Sequence, residues 1–155
     1  MEIRRAELKD IDYINSLLKQ VLNVHHEGRP DIFKANAKKY TDSELIDIIK
    51  DDNRPIFVAV ENEKVLGYLF AVFQKIENSN ILTPIKTLYI DDLCIDETQR
   101  GKGVGKELYN FATQFAKESN CYNLTLNVWA CNQSALEFYK KMGLMPQKTY
   151  LEKIL

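Results

Sequence analysis

Apolar residues at Leu8, Ile11, Ile14, Leu17, Leu18, Val21 and Leu22 recur at the spacing of one helix face, so the first long element is an amphipathic helix. A short strand, Glu2 to Arg5, precedes it, and Gly28 followed by Pro30 is expected to stop it. The stretch HHEGRPDIFK that follows has no clean period and reads as a loop, the kind of segment in which binding specificity tends to sit. Thr41 and Glu44 have capping-box spacing, and Leu45, Ile46, Ile48 and Ile49 give a second helix its buried face. Beyond Pro55, IFVAV and VLGYLFAVFQ are β-type runs joined by the polar turn Glu61 to Lys64. Asn78 to Pro84 reads as another turn, and Ile85 to Ile95 as a further strand.

Val104, Leu108, Phe111, Ala112 and Phe115 mark the stripe of a third long helix. LTLNV, Leu124 to Val128, alternates as a strand does, and Gln133 to Met142 is a helix ended by Gly143 with Pro146 just beyond. Gln147 to Leu155 is expected to form a last strand. The predicted order is therefore β-α-α-β-β-β-α-β-α-β. Three consecutive antiparallel-type strands followed by a βαβ crossover imply an α/β (α+β) fold with a mixed sheet and helices on both faces.

Composition narrows the picture by exclusion. At 155 residues, 45% apolar and 28% charged, the chain is expected to be one domain, residues 1–155, with an ordinary globular core. A net charge of -1 argues against nucleic acid as the main partner. No apolar run, Ile56 to Val60 included, is long enough to cross a membrane, and the N-terminus MEIRRAELKD has no apolar signal core, so a cytoplasmic location is expected. Cys94, Cys121 and Cys131 lack the close spacing of a zinc or dithiol site; no metal is expected, and the three read as reduced, small apolar residues.

The candidate chemistry lies in LYIDDLCIDETQRGKGVGK, Leu88 to Lys106. A strand leads into three glycines at alternate positions and then straight into a helix, which places bare backbone N–H groups at a helix N-terminus, an anion cradle. A Walker A loop is excluded, because Gly105-Lys106 is followed by Glu107 and the upstream position is Arg100. The dinucleotide fingerprint is excluded by the alternate glycines and by the lack of an early βαβ unit. What remains is Arg-x-x-Gly-x-Gly, formed by Arg100, Gly103 and Gly105 with Gly101 added. In this register the chain resembles the GNAT superfamily of N-acetyltransferases, whose loop of this form binds the pyrophosphate of acetyl-CoA. A second block, Asn132-Gln133-Ser134-Ala135-Leu136-Glu137-Phe138-Tyr139-Lys140-Lys141-Met142-Gly143-Leu144, resembles that family's later motif and stands one strand further on, as it does there.

The resemblance implies a division of roles. Arg100, Gly101, Lys102, Gly103, Val104, Gly105 and Lys106 would hold the pyrophosphate, Leu93, Cys94 and Ile95 would bind the pantetheine arm as an added strand does, and a strand amide would face the thioester oxygen. Asn132 matches a pantetheine contact and is equally an ideal N-cap. Tyr139 matches the family's general acid at sulfur, and a phenol is protonated near neutrality. Asp91 and Asp92 are the candidate acceptor-side carboxylates, but successive strand residues point to opposite faces, so without a bulge only one serves. IDDL resembles the Ile-Glu-Asp-Phe/Leu stretch of spermidine/spermine acetyltransferases, which favours Asp91, although Asp stands where that subfamily has Glu. A strand-end cap or a lysine pair is an equally open reading of Asp91.

His25 and His26 read as a solvated pair, Arg29, Asp31 and Phe33 as acceptor-site wall, and Trp129 as packing near the cofactor gap. The expected activity is acetyl transfer from acetyl-CoA to a small primary amine or polyamine in a ternary complex, by a homodimer as is common in the family. A protein or peptide amine as acceptor, and a CoA-binding module without turnover, are the competing expectations.

Overall fold

The computed structural model describes residues 1–155. Strand β1, Glu2–Arg5, leads through a 3-10 turn at Leu8–Asp10 into helix α1, Ile11–Gly28. Arg4 grips the buried Asp10 carboxylate with two hydrogen bonds, 2.8 and 3.0 Å, and the Glu7 N–H donates to the same group, so the charge is paired where it enters the core. Helix α2, Asp42–Lys50, follows a long irregular segment, then come strands β2, Ile56–Glu61, β3, Lys64–Lys75, and β4, Lys86–Ile95. Helix α3, Val104–Glu118, strand β5, Asn123–Leu126, and helix α4, Gln133–Lys141, complete the regular structure.

The five strands lie in the order β1-β2-β3-β4-β5, antiparallel except for the parallel pair β4 and β5. The mixed sheet expected from the element order is present. One face carries Tyr68, Phe70 and Cys94 against Ile14, Leu17 and Leu18 of α1 and Leu45 and Ile48 of α2. The other carries Leu69, Ala71, Leu88 and Ile90 against Val104, Leu108, Ala112 and Ala116 of α3. Burying both faces is what the near-continuous apolar runs of β2 and β3 require.

Local signals set several element ends. Thr41 Oγ1 accepts from the Glu44 N–H at 3.2 Å while the Glu44 carboxylate accepts from the Thr41 N–H at 2.7 Å, a complete capping box. Thr41→Ala should lower stability by about 1 kcal/mol and Tm by about 2–4 °C in a calorimetric scan. Gly143, at φ 87, ends α4 in the left-handed conformation that glycine tolerates. Gly28 works differently from the expected stop: its φ is not positive, and a Cβ there would lie 2.6 Å from Cys131 Sγ, so the position is small because the loop after β5 crosses it.

The expected last strand is not formed. Residues 147–155 have no regular structure and pair with no strand.

Candidate active site

The glycine turn has the form of an anion cradle. Gly101 and Gly103 take φ values of 78 and 85, and a Cβ built on either would meet no atom within 4 Å. The turn therefore needs glycine for its backbone path and leaves the space in front of it open. Gly103 caps α3 without a side chain, so the first N–H groups of the helix stay available and its positive end faces outward. Arg100, Lys102 and Lys106 are exposed around the turn, while Val104 is buried and anchors the helix beneath it. Gly105 is tight for another reason: a Cβ there would stand 3.4 Å from Ile95 and 3.5 Å from Phe138, where α3 meets β4 and α4. Open donors, a helix N-terminus and three flanking cations fit a pyrophosphate.

Strand β4 is paired on both sides only through its first half. Thr87 to Ile90 pair with Asn123 to Leu126 of β5, and beyond Ile90 the β5 side of β4 has no partner. The Asp96 N–H donates to the Leu66 carbonyl at 2.9 Å, which fixes the phase of the antiparallel ladder. By alternation Cys94 bonds back to Tyr68, and the backbone groups of Leu93 and Ile95 face the open side. Two of the three residues expected to bind an extended arm thus present their main chain. Cys94 instead buries its thiol, with Sγ 3.4 Å from the Leu17 carbonyl, and burial pushes that thiol up to about 12.

A bulge settles how the two carboxylates share a site. Phe70 pairs with Asp92 and the next β3 residue, Ala71, pairs with Ile90, so Asp91 is the extra residue. The bulge flips the alternation: Ile90 faces α3, yet Asp92 and Cys94 face α1 and α2. Both carboxylates consequently meet one ammonium. Lys39 Nζ lies 3.0 Å from Asp91 Oδ2 and 3.7 Å from Asp92 Oδ2. Tyr40 donates to Asp91 at 3.3 Å and Tyr68 donates to Asp92 at 3.0 Å. The Asp92 side chain is 8% exposed against 31% for Asp91. Burial raises the Asp92 carboxyl above the usual carboxylate range despite Lys39 and Tyr68.

The same cluster gathers groups from other elements. Tyr139, on α4, is raised well above the ordinary phenol value, first by burial and then by the Asp92 charge. Asn132 accepts from the Ala135 N–H at 3.2 Å, so its carbonyl oxygen caps α4 and its amide N–H groups are the atoms left for a ligand.

The histidines depart from expectation. His25 is half-buried, held below its ordinary value by burial, and within electrostatic reach of Asp92; its ring lies 5.0 Å from that of Phe33. His26 Nδ1 is 2.7 Å from the Phe33 carbonyl. Phe33 also meets Trp129 edge-on at 5.0 Å, forming an aromatic wall beside the loop after β5. Arg29 and Asp31 are not part of that wall. They pair with each other at 2.8 Å, and Arg29 also holds Glu152 at 2.8 Å.

Sequence reading had not singled out Lys39, Tyr40 or Tyr68. A lone tyrosine within VLGYLFAVF and a basic pair just ahead of a capping box were the only traces. No group of three or more His, Cys, Asp and Glu residues is arranged to hold a metal ion, and no helix is long and apolar enough to cross a membrane.

A glycine-turn anion cradle, a half-open β4 edge and an acidic pair with one buried member define an acyl-carrier-binding fold of the acetyltransferase type. Residues 19–144 match the Acetyltransferase (GNAT) family, and the chain belongs to it. A peptidyl-lysine N-acetyltransferase, YjaB, of Salmonella typhimurium is 27% identical over 92% of this chain and 82% of its own length. An uncharacterized N-acetyltransferase of Methanocaldococcus jannaschii is 30% identical over 62% of this chain, and the match spans 41% of that relative's length. A crystal structure of a mutant of the BH1408 protein of Bacillus halodurans is 29% identical, with a TM-score of 0.96 over 100% of this chain and 99% of that one. An aminoglycoside N-acetyltransferase, AAC(6')-Iy, in complex with CoA has a TM-score of 0.74 at 13% identity, covering 99% of this chain and 98% of that one, which is a likeness of fold.

Proposed function

We propose that the chain transfers acetyl from acetyl-CoA to a cationic primary amine, a small amine or polyamine, by direct attack in a ternary complex. The observation that carries this reading is the Lys39 ammonium seated on Asp91 and Asp92: the chain's own primary ammonium marks a place built for another. Acetyl-CoA would supply the activated acetyl group as a thioester. The amides of the 101–106 turn would hold its diphosphate, and the Leu93 and Ile95 backbone would align its pantetheine arm, with an Asn132 amide alongside. Asp91, the more exposed carboxylate, holds the ammonium. Asp92, raised by burial, takes its proton directly or through water, and Tyr139 returns a proton to the departing sulfur. We place the enzyme in the cytoplasm as a homodimer of single-domain chains, consistent with its three unpaired cysteines.

A peptidyl lysine as acceptor is the second reading. It is favoured by the Salmonella relative, a peptidyl-lysine N-acetyltransferase, and by the fact that Lys39 is itself a peptidyl lysine.

The test is thiol release from acetyl-CoA across diamines, polyamines, monoamines and lysine peptides, with the acetylated product weighed by mass spectrometry. Turnover with cationic amines is expected. Acetyl-CoA binding with no release across the panel would return the chain to a binding module, and turnover confined to peptides would select the second reading. Lys39→Met should lower KM for the amine by up to about fivefold, the value of a partly exposed ion pair no longer competing. An unchanged or raised KM would mean that the amine does not replace Lys39.

A further inference from the structure

Lys39 stands where an acceptor nitrogen would have to stand. Of the lysines that form ion pairs, it alone meets two carboxylates, Asp91 Oδ2 at 3.0 Å and Asp92 Oδ2 at 3.7 Å; Lys9, Lys38 and Lys140 each meet one. Its neighbours hold it there. Tyr40 stacks on Phe70 of β3, ring centroids 5.9 Å apart at 13°, and Thr41 closes the capping box of α2. The side chain therefore starts from a fixed point and carries Nζ to β4, past the Tyr40 ring at 5.3 Å. Burial lowers the ammonium, Asp92 and Asp91 more than offset that, and Lys39 is charged at rest, so it needs a base before it can react. Asp92 is at hand as that base, with its own carboxyl raised by burial, and its charge is also felt by the Tyr139 phenol. Nucleophile, proton acceptor and proton donor are thus grouped around one carboxylate, all supplied by the chain.

On the acetyl-transfer reading above, we propose that Lys39 is a modification site, acetylated by its own chain when no free amine takes its place. Lys39 Nζ gives one proton to Asp92 and forms a bond to the acetyl carbonyl carbon. The carbon–sulfur bond breaks, the departing sulfur takes a proton from Tyr139, and Tyr139 recovers one from the nitrogen. The products are N-acetyl-Lys39, the free CoA thiol and the proton that Asp92 passes to water; nothing is oxidised or reduced. The amide is neutral and no longer pairs with Asp91 and Asp92, so the reaction stops at one acetyl per chain. Lys38 next door is the built-in control. It is more exposed, 54% against 34%, and pairs with Asp42 of its own segment rather than with β4. Uncatalysed acetylation follows exposure and favours Lys38, whereas acetylation by the site favours Lys39.

The test incubates the full chain with acetyl-CoA and no amine, follows the intact mass, and maps the modified peptide. A gain of one acetyl group on Lys39 is expected, ahead of Lys38 by about tenfold or more, at a rate per chain that stays the same on dilution because the step is intramolecular. Lys39→Arg, which keeps the charge and loses the nucleophile, should gain no acetyl group at residue 39 or in its place. Tyr139→Phe should slow the modification of Lys39 by about tenfold or more, with acetyl-CoA still bound in a calorimetric titration. Lys38 modified as fast as Lys39, a rate per chain that falls on dilution, or a Tyr139→Phe chain modified as fast as the parent each overturn the proposal. Unmodified Lys39 in a chain that turns over free amines overturns it and leaves the acetyl-transfer reading standing. Acetylated Lys39 with no free amine turned over upholds it and removes the free amine as acceptor, and neither reaction removes both.

Discussion

Tyr139→Phe is expected to lower kcat by about 100-fold or more while leaving acetyl-CoA affinity nearly unchanged, the signature of a lost proton donor rather than a lost binding contact. Burial and the Asp92 charge hold the phenol above its ordinary value, so it stays protonated through the working range and is poised to give a proton to a departing thiolate. The same desolvation that makes the phenol a weak acid also makes a thiolate beside it a stronger base, which keeps the transfer favourable. Stopped-flow turnover together with a calorimetric titration reads both quantities. A Tyr139→Phe enzyme with unchanged kcat, chemistry being rate-limiting, removes Tyr139 from this role.

Asp92→Asn should cost a comparable factor in kcat/KM and change the shape of its pH profile. The buried Asp92 carboxyl titrates above the usual carboxylate range, so kcat/KM in the parent should rise as pH climbs through that raised value, and this limb should vanish in the variant. Stability should move the other way. A carboxyl whose folded value is raised binds its proton more tightly in the folded chain, so its favourable contribution is complete below the unfolded value and is lost as pH rises through the folded one. Asparagine carries no such penalty and can still accept from Tyr68, so the variant's Tm should exceed the parent's near pH 8 and match it in acid. If Asp91→Asn removes the acid limb and Asp92→Asn leaves it intact, the proton passes through Asp91 instead.

The donor half of the site was legible because its signals are local. A glycine turn announces its left-handed residues within five positions, a capping box within four, and both stand in the structure where the spacing placed them. The acceptor half was not, because it hangs on one irregularity in the β3–β4 ladder. The sequence alone left Asp91 and Asp92 on opposite faces, with Asp91 favoured by resemblance; the bulge turns Asp92 to the same side and lets one lysine touch both. A bulge depends on how two strands settle against each other, and no residue in IDDL declares it. His25 was read as solvated and Lys39 went unnoticed for a related reason: neither stands in a periodic stretch of the sequence, and what each faces is set by residues of β4 far off in the chain.

By itself, then, the sequence determined the two apolar periods, the order of helices and strands through α4, and the anion-binding turn between β4 and α3, since each is written in residues a few positions apart. The tertiary structure decided which carboxylate is buried, what faces it, and that residues 147–155, expected as a strand, join no sheet. Those depend on desolvation and on pairing between distant segments. A strand's pattern states that it can pair; only the assembled sheet states whether it does.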